Sequence, residues 1–237
     1  MSHEHRFFSS PGEQEPERIT LREQEAHHAL HVVRLRKGDR VIVFDGRGRE
    51  WSCLVSETGR KDVQLAIESS RTAVAPRYRL DLLLGALHRD KALEEVIQRG
   101  TEIGVSRFVF FRAERSERAA KVMDKWHRWA VESCKQCGRL WLPAFAVADS
   151  LEAAMADTPV LRLIATLNRS PIPIRTCVDT REAAVIVGPE GDFTDRELAL
   201  AESLGAKAFS LGGHVFRAEV AAALAAGLVL YEWGELG

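Results

Sequence analysis

The chain has 237 residues, of which 46% are hydrophobic and 28% charged, and its formal net charge is −1. This composition is typical of a globular protein with room for two modest domains, and it excludes a disordered or fibrous chain. No apolar run approaches the ~20 residues of a membrane span, and the first 18 residues are too polar for a signal peptide. We therefore expect a cytoplasmic protein.

The charges are unevenly distributed along the chain. Residues 77–145 carry 14 basic and 9 acidic side chains, a net of +5, whereas residues 146–237 carry 7 basic and 13 acidic, a net of −6. Such a chain can present a basic face to nucleic acid while it stays near neutrality overall. Solvated helix faces would give the same distribution, so charge alone leaves RNA binding open.

The first 76 residues predict a small β-rich unit. A helix is predicted over 23–35, and strands are predicted over 41–44, 51–55 and 63–67. Asp45 and Gly46 form a strong turn signal after the first of these strands. Residues 69–77 lack periodicity and contain a proline, which indicates a linker.

From residue 78 onward, apolar strand patterns alternate with helical patterns. Strands are predicted over 80–84, 109–111, 161–165, 184–187 and 209–211, and helices over 92–103, 121–137, from the capping box at 194–197, and over 218–233. Strands that alternate with helices imply a mostly parallel sheet that is covered on both faces. The second part of the chain is therefore predicted to be an α/β domain.

Four cysteines are present, at positions 53, 134, 137 and 177, and their number does not suggest a disulfide framework. Cys134 and Cys137 have the spacing of half a zinc site or of a redox pair. No second pair or nearby histidine completes four ligands, and the pair lies within a helical pattern instead of following a strand. We therefore favour two thiols on a packed helix and expect no metal.

Two glycine turns follow predicted strands near the end of the chain. Residues 188–191 (GPEG) directly follow an apolar strand and precede the capped helix, a position where α/β proteins usually bind ligands. Residues 211–213 (LGG) lead into the last helix, which Arg217 and Glu219 open. No dinucleotide fingerprint, P-loop or nucleophile elbow is present. A tight turn that binds nothing remains an alternative for residues 188–191.

These segments resemble the RsmE family of RNA methyltransferases. Residues 188–193 are similar to its G-P-E-G-G-[FL] motif, and residues 211–222 to its L-G-x-R-[IV]-L-R-x-E-[TA]-A motif. Residues 91–104, 134–139 and 34–46 are similar to further family patterns in the same order along the chain. Asp192, His214 and Val220 stand where the motifs have Gly, Arg and Thr or Ala.

The resemblance implies a PUA-like RNA-binding β-barrel over residues 1–72 and a SPOUT methyltransferase domain with a trefoil knot over residues 73–237. It implies a homodimer that uses S-adenosylmethionine to methylate N3 of a uridine in the decoding region of 16S ribosomal RNA. The substrate would be the free RNA or the small ribosomal subunit. The last helix is also too apolar for a lone exposed helix, which favours a dimer face there.

The resemblance and the turns together give a set of predicted site residues. The predicted cofactor residues are Thr166, Leu167, Gly188, Pro189, Glu190, Gly191, Leu211, Gly212, Val215 and Phe216. The predicted RNA contacts are Arg34, Arg36, Lys37, Lys91, Arg115, Arg118 and Arg139. For the RNA contacts, a solvated charged surface is the alternative.

Arg217 and Glu219 are the predicted catalytic residues. Uracil N3 carries a proton at neutral pH, so its methylation requires a base or a group that stabilises the anion. Arg217 could stabilise that anion, while Glu219 could accept the proton or orient Arg217. A spacing of two within a helix would point the side chains apart. In the alternative without catalysis, Glu219 complements the helix dipole and Arg217 pairs with a neighbouring acid.

Two other functions are compatible with the sequence. The first is an RNA-binding protein that keeps the fold but has lost its cofactor, which Asp192 and His214 would explain. The second is a SPOUT enzyme that methylates a ribose 2′-hydroxyl instead of a base. Cofactor binding would test the first alternative, and the identity of the modified nucleoside would test the second.

Overall fold

The computed structural model describes residues 4–10, 17–116, 121, 123–166, 172–176 and 180–237. The chain forms two compact units. The first consists of residues 1–75 and 134–142, and the second of residues 76–133 and 143–237. Residues 134–142 thus pack with the first unit, although they follow the predicted linker by a long stretch of chain.

The first unit contains a five-stranded sheet in the order β1-β3-β4-β5-β2. Its strands are β1 (His5–Phe8), β2 (Arg18–Leu21), β3 (Arg40–Phe44), β4 (Arg49–Thr58) and β5 (Val63–Thr72), and helix α1 (Glu23–His27) continues into a π-helical turn (His28–Val33). Neighbouring strands are antiparallel except β1 and β3, which are parallel. The three predicted strands are confirmed, whereas the four-residue strands β1 and β2 were not predicted.

The predicted linker at 69–77 begins too early. Strand β5 continues to Thr72, because residues 69–72 pair with the start of β4. Side chains 68–72 are exposed, so they show no hydrophobic alternation from which a strand could have been predicted.

Aromatic and branched side chains from the strands form the core of the first unit, among them Phe7, Val43, Trp51 and Leu65, all fully buried. The segment 134–142 reaches this unit at the predicted turn after β3. A Cβ atom at Gly48 would collide with the ring of Trp141, so glycine is needed for this close approach.

The second unit contains a six-stranded sheet in the order β11-β9-β10-β6-β7-β8, in which all neighbouring strands are parallel. The strands are β6 (Arg79–Gly85), β7 (Arg107–Phe111), β8 (Ala144–Ala148), β9 (Leu161–Ala165), β10 (Glu182–Val187) and β11 (Ala206–Phe209). The helices are α2 (Asp90–Ile103), α3 (Asp124–Cys137), α4 (Leu151–Ala156), α5 (Asp195–Ser203) and α6 (Ala218–Glu232), and a 3-10 turn covers Ile174–Thr176. The last four residues of α3 belong to the first unit. The predicted α/β organisation is confirmed.

One predicted strand of the second unit needs correction, and two of its elements were not predicted. The last strand covers Ala206–Phe209 instead of 209–211, because Ser210 Oγ hydrogen bonds to both the N–H and the carbonyl of Gly212 and turns the chain out of the sheet. Strand β8 and the six-residue helix α4 were not predicted. Strand β8 is a largely half-exposed edge strand, and its alanine-rich sequence carries little strand signal.

The central strands of the second unit position the glycine turn at 188–191. Strands β6 and β10 lie next to each other in the middle of the sheet, and residues 188–193 follow the carboxyl end of β10. Helix α6 packs against α2 and β10 and buries Ala222, Ala225 and Val229. No helix in the described ranges is long and apolar enough to cross a membrane.

Candidate functional site

A cavity of about 470 Å³ lies in the second unit. It is lined by the residues at the carboxyl ends of strands β9 and β10 and by the segment that follows β11. Predicted cofactor residues that line it are Thr166, Gly188, Pro189, Glu190, Leu211, Val215 and Phe216. Both predicted catalytic residues, Arg217 and Glu219, line the same cavity. Gly191 and Gly212 are not among its lining residues, and Leu167 lies outside the described residues. These predicted residues, which are separated by up to 53 positions in the chain, therefore meet at one site.

Pro189 belongs to the glycine turn at 188–191 and packs against Gly85 at the end of strand β6. A Cβ atom added at Gly85 would lie 2.5 Å from Pro189 Cδ and 2.7 Å from its backbone nitrogen. Any side chain at position 85 would therefore push the turn away from the sheet. Sequence reasoning missed Gly85, whose only signal was a glycine at the carboxyl end of a predicted strand.

Hydrogen bonds made by the side chains of Glu190 and Arg115 hold this turn in place. The Glu190 carboxylate accepts a hydrogen bond from the backbone N–H of His88, at 3.1 Å to Oε1 and 3.3 Å to Oε2. The Arg115 guanidinium donates to the carbonyl oxygens of Gly191 at 3.0 Å and Phe193 at 3.3 Å. The turn is thereby fixed to two neighbouring segments before any ligand arrives.

Arg217 and Glu219 approach the cavity from the start of helix α6. Arg217 is the N-cap residue, with extended backbone, and its side chain is exposed. Glu219 is within the first helical turn and only 6% exposed. Because Arg217 precedes the helix, the predicted divergence of two side chains within one helix does not apply.

Glu219 pairs with a residue that sequence reasoning did not identify. Its Oε1 atom accepts a hydrogen bond from Arg89 Nη2 at 3.4 Å, and its Oε2 atom has no donor among the described residues. Arg89 is the N-cap residue of α2 and lines the cavity. Arg217 also lines the cavity, and no acidic side chain in the described ranges forms an ion pair with it.

Comparison with known proteins places this arrangement in a family. Residues 75–230 match the model of the RNA methyltransferase domain, and residues 21–68 match that of the RNA methyltransferase PUA domain. A ribosomal RNA small subunit methyltransferase E from Mesomycoplasma hyopneumoniae is 30% identical over 165 residues, which span 66% of this chain and 71% of that protein. The chain belongs to the ribosomal RNA small subunit methyltransferase E family.

Further relatives agree with this assignment, and the resemblance found in the sequence motifs is confirmed. The methyltransferase E of Synechocystis is 29% identical over 217 residues, covering 87% of this chain and 71% of that protein. A Legionella pneumophila protein whose structure holds the bound cofactor SAM is 25% identical, with a TM-score of 0.86 over 97% of this chain and 98% of that one.

The backbone explains one departure from the family motif. Asp192 stands at the second motif glycine and has a φ of +60°, in the left-handed region that favours glycine. Aspartate is among the side chains that adopt this region most readily. Its Oδ1 atom accepts a hydrogen bond from the N–H of Phe193 at 2.8 Å. The methyltransferase E turn is therefore kept without the glycine.

His214 and Val220 are the other two departures. His214 lines the cavity, and Val220 lies on the exposed face of helix α6. Nothing in the structure explains either substitution.

The predicted RNA contacts are divided between the two units. In the first unit, Arg34, Arg36 and Lys37 are exposed on the turn after the π-helical segment, and Arg139 is half-buried. In the second unit, Lys91 is exposed in the first turn of α2, and Arg115 holds the glycine turn. Arg118 lies outside the described residues.

The cysteine pair does not share one environment. Cys134 is buried and Cys137 is exposed, both as free thiols at the end of α3. Burial raises the pKa of the Cys134 thiol to about 12, so it stays protonated and unreactive at neutral pH. The buried thiol fits the predicted packing role.

Proposed function

We propose that this chain uses S-adenosylmethionine to methylate N3 of a uridine in the decoding region of 16S ribosomal RNA. One observation carries the proposal: a single cavity brings together residues 188–190 of the glycine turn, Arg217 and Glu219, whose Oε2 atom has no donor among the described residues. Membership of the methyltransferase E family supports ribosomal RNA as the substrate. The cofactor bound by the Legionella protein supports S-adenosylmethionine.

The cavity fits this cofactor in size and chemistry. A volume of about 470 Å³ lies within the usual range of small-molecule sites. Val187, Leu211 and Phe216 offer apolar surface for a nucleoside, and the turn at 188–191 brings backbone polar groups beside them. When bound, S-adenosylmethionine supplies a methyl group on a positively charged sulfur that leaves as a neutral thioether. We propose that the seven predicted cofactor residues that line the cavity hold it.

Glu219 and Arg217 would act on the uracil base. Glu219 Oε2 is an acceptor with no donor among the described residues, so it can take the N3 proton as the N3 electron pair forms the new bond to carbon. Arg217 and the N-terminus of helix α6 would stabilise the negative charge that develops on the ring. The Watson–Crick edge must be unpaired, so the uridine would be flipped out or single-stranded.

The proposal extends to the architecture of both units. In the first unit, the five-stranded sheet and the match to the PUA model support a PUA-like RNA-binding barrel. In the second unit, strand β10 lies between strands β9 and β6, both of which precede it in the chain. This strand order is compatible with a SPOUT trefoil knot. We assign RNA binding to the first unit and catalysis to the second, in a cytoplasmic enzyme.

A homodimer is proposed from the outer face of helix α6. Val220, Leu224, Leu228 and Tyr231 recur at helical spacing and are 37–62% exposed. We expect this stripe to pack against a second copy about a two-fold axis. Sedimentation equilibrium should show a dimer at micromolar concentration, and Leu224→Glu should shift it to monomer. A wild-type monomer would contradict the proposal.

The test is nucleoside analysis of RNA modified by the purified protein. Small subunits and free 16S RNA that lack the modification are incubated with S-adenosylmethionine, digested and examined by mass spectrometry. We expect 3-methyluridine, and comparison of the two substrates shows which is used. A 2′-O-methylated nucleoside would contradict the chemistry proposed here. Absence of S-adenosylmethionine binding by calorimetry would instead support the RNA-binding protein without catalysis.

A further inference from the structure

The carboxylate of Glu219 is buried with incomplete hydrogen bonding. Its side chain is 6% exposed, and the charged partner that the structure shows for it is Arg89, whose Nη2 atom lies 3.4 Å from Oε1. The second oxygen has no donor among the described residues. A buried carboxylate is costly unless it is paired and hydrogen-bonded, so the orientation of this one depends on Arg89.

The residues on either side of Arg89 in the chain both contact other parts of the second unit. The preceding residue, His88, donates its N–H to the Glu190 carboxylate of the glycine turn. The following residue, Asp90, forms an ion pair with Lys125 of helix α3. Contacts on both sides therefore fix the chain from which the Arg89 side chain extends into the cavity.

We propose that Arg89 is the positioning residue for Glu219. It holds Oε1 so that Oε2 faces the base to be methylated, and Glu190 links this arrangement to the cofactor turn through His88. The inference rests on the proposed function, because it assigns Glu219 the N3 proton. It also separates the two cavity arginines, since Arg89 binds Glu219 whereas Arg217 is left for the substrate.

The alternative role for Arg89 is a direct contact with an RNA phosphate. Its side chain is 53% exposed, so part of the guanidinium is accessible. A phosphate contact would strengthen RNA binding independently of Glu219 and would contribute to the salt dependence of affinity. A positioning role would change the rate at saturating RNA and only while Glu219 is present.

A double-mutant cycle distinguishes these roles. The variants are R89Q, R89K, E219Q and R89Q/E219Q, with R99Q as the matched control. Arg99 lies on the same helix but pairs with Glu102 at 2.8 Å and does not line the cavity. The measurements are the single-turnover methylation rate at saturating small subunit, the Kd for S-adenosylmethionine, and the salt dependence of RNA affinity.

The positioning role predicts a specific set of results. R89Q should lower the rate by about tenfold to a hundredfold, the loss typical of a misplaced catalytic group. R89K should restore part of it, and R99Q should match the wild type. The double variant should be no slower than E219Q, because the two residues act as one unit. The Kd for S-adenosylmethionine and the salt dependence should not change in R89Q.

Three outcomes would overturn the inference. A wild-type rate in R89Q would remove Arg89 from the mechanism. An equal loss from R89Q in both backgrounds would show that it acts without Glu219, and a flatter salt dependence with an unchanged saturated rate would identify a phosphate contact. If R89Q fails to fold, a rate in R89Q/E219Q below that of E219Q would still overturn the inference, since neither of these two variants leaves a buried charge unpaired. If the wild type makes no 3-methyluridine, the proposed function itself fails.

Discussion

Glu50 in the first unit and Glu219 in the second are both almost completely buried, and they differ in how they are paired. Glu50 in the first unit is 7% exposed, and Glu219 in the second is 6% exposed. Both oxygens of Glu50 face arginines, with Arg71 Nε at 2.7 Å and Arg6 Nη2 at 2.6 Å. Glu219 has one contact at 3.4 Å, and its other oxygen has no donor in the described part of the chain.

The difference follows from where the two residues lie. Glu50 is opposite Arg71 in the β4–β5 ladder, so the sheet itself supplies its partner. Glu219 lies at the start of a helix beside a cavity, where a ligand can supply the missing donor. Equal burial therefore does not imply an equal role. What distinguishes them is the ion pairing: Glu50 has an arginine close to each oxygen, whereas Glu219 has a single, longer contact and keeps one oxygen available for chemistry.

The largest effect is expected from exchanging each carboxylate for its amide. Glu219→Gln should lower the single-turnover methylation rate by about 10²- to 10⁴-fold, the usual contribution of a general base. Cofactor affinity should change little, because the amide has the same shape. The matched control is Glu50→Gln, which should keep the rate at 25 °C when folded protein is compared. A near-wild-type rate in Glu219→Gln would leave the proton acceptor unassigned.

The second effect concerns the glycine turn at 188–191, in which Glu190 binds the backbone N–H of His88, the residue before Arg89. Gly85→Ala should displace Pro189, because the added Cβ has no room beside it. Overpacking of this kind costs about 1–3 kcal/mol, so the Kd for S-adenosylmethionine should rise about tenfold or more. Calorimetry would measure this, with the melting temperature as the control for folding. An unchanged Kd would show that the turn does not shape the cofactor site.

The sequence predicted the features that depend on neighbouring residues. The capping box of Thr194 and Glu197 is present as predicted, and strand β9 has the predicted bounds. The glycine turns could be found because each follows an apolar strand directly. Short or half-exposed elements such as β1, β2 and β8 were missed, since they lack an extended apolar pattern.

Contacts between distant parts of the chain could not be predicted in this way. Glu190 binds the backbone of His88, 102 positions earlier, and Arg89 meets Glu219 across 130 positions. No local pattern marks Arg89 or Gly85 as part of the site. Arg115 was predicted as an RNA contact, and the fold adds a second contact that no local pattern indicated, since its side chain donates to the carbonyls of the glycine turn. Residue type indicates which contacts are possible, and only the fold selects among them.

A smaller effect is expected on the stability of the first unit. Burial raises the pKa of Glu50, but the hydrogen bond from Arg71 and the nearby charge of Arg6 outweigh it and hold the pKa below its ordinary value of 4.5. A lowered pKa means that the carboxylate stabilises the fold above pH 4.5 and loses this contribution as pH falls through the folded-state pKa. Glu50→Gln should then lower the free energy of unfolding at neutral pH.

The expected loss in Glu50→Gln is about 1.5–3 kcal/mol for charged hydrogen bonds, and nearer the lower value because Arg71 is 68% exposed. Urea unfolding at pH 7 and pH 4 would measure it. The difference between variant and wild type should be smaller at pH 4, where protonation begins to remove the wild-type advantage. A difference that grows on acidification would contradict the pairing.

The smallest effect is expected on the salt dependence of RNA affinity. It should distinguish arginines that form ion pairs within the fold from arginines that are free to contact RNA. Arg36 is exposed on the turn at 34–37, and its guanidinium forms no ion pair among the described residues, whereas Arg71 is bound to Glu50. A phosphate contact made by Arg36 would release about one counterion. Arg36→Ala should then reduce the slope of log affinity against log salt by about 0.7–0.9 and weaken binding to all RNA sequences alike.

Arg99→Ala, which removes the same charge from a residue paired with Glu102, is the control and should leave the slope unchanged. Equal slopes for wild type and both variants would mean that the turn at 34–37 is a solvated surface that makes no phosphate contact.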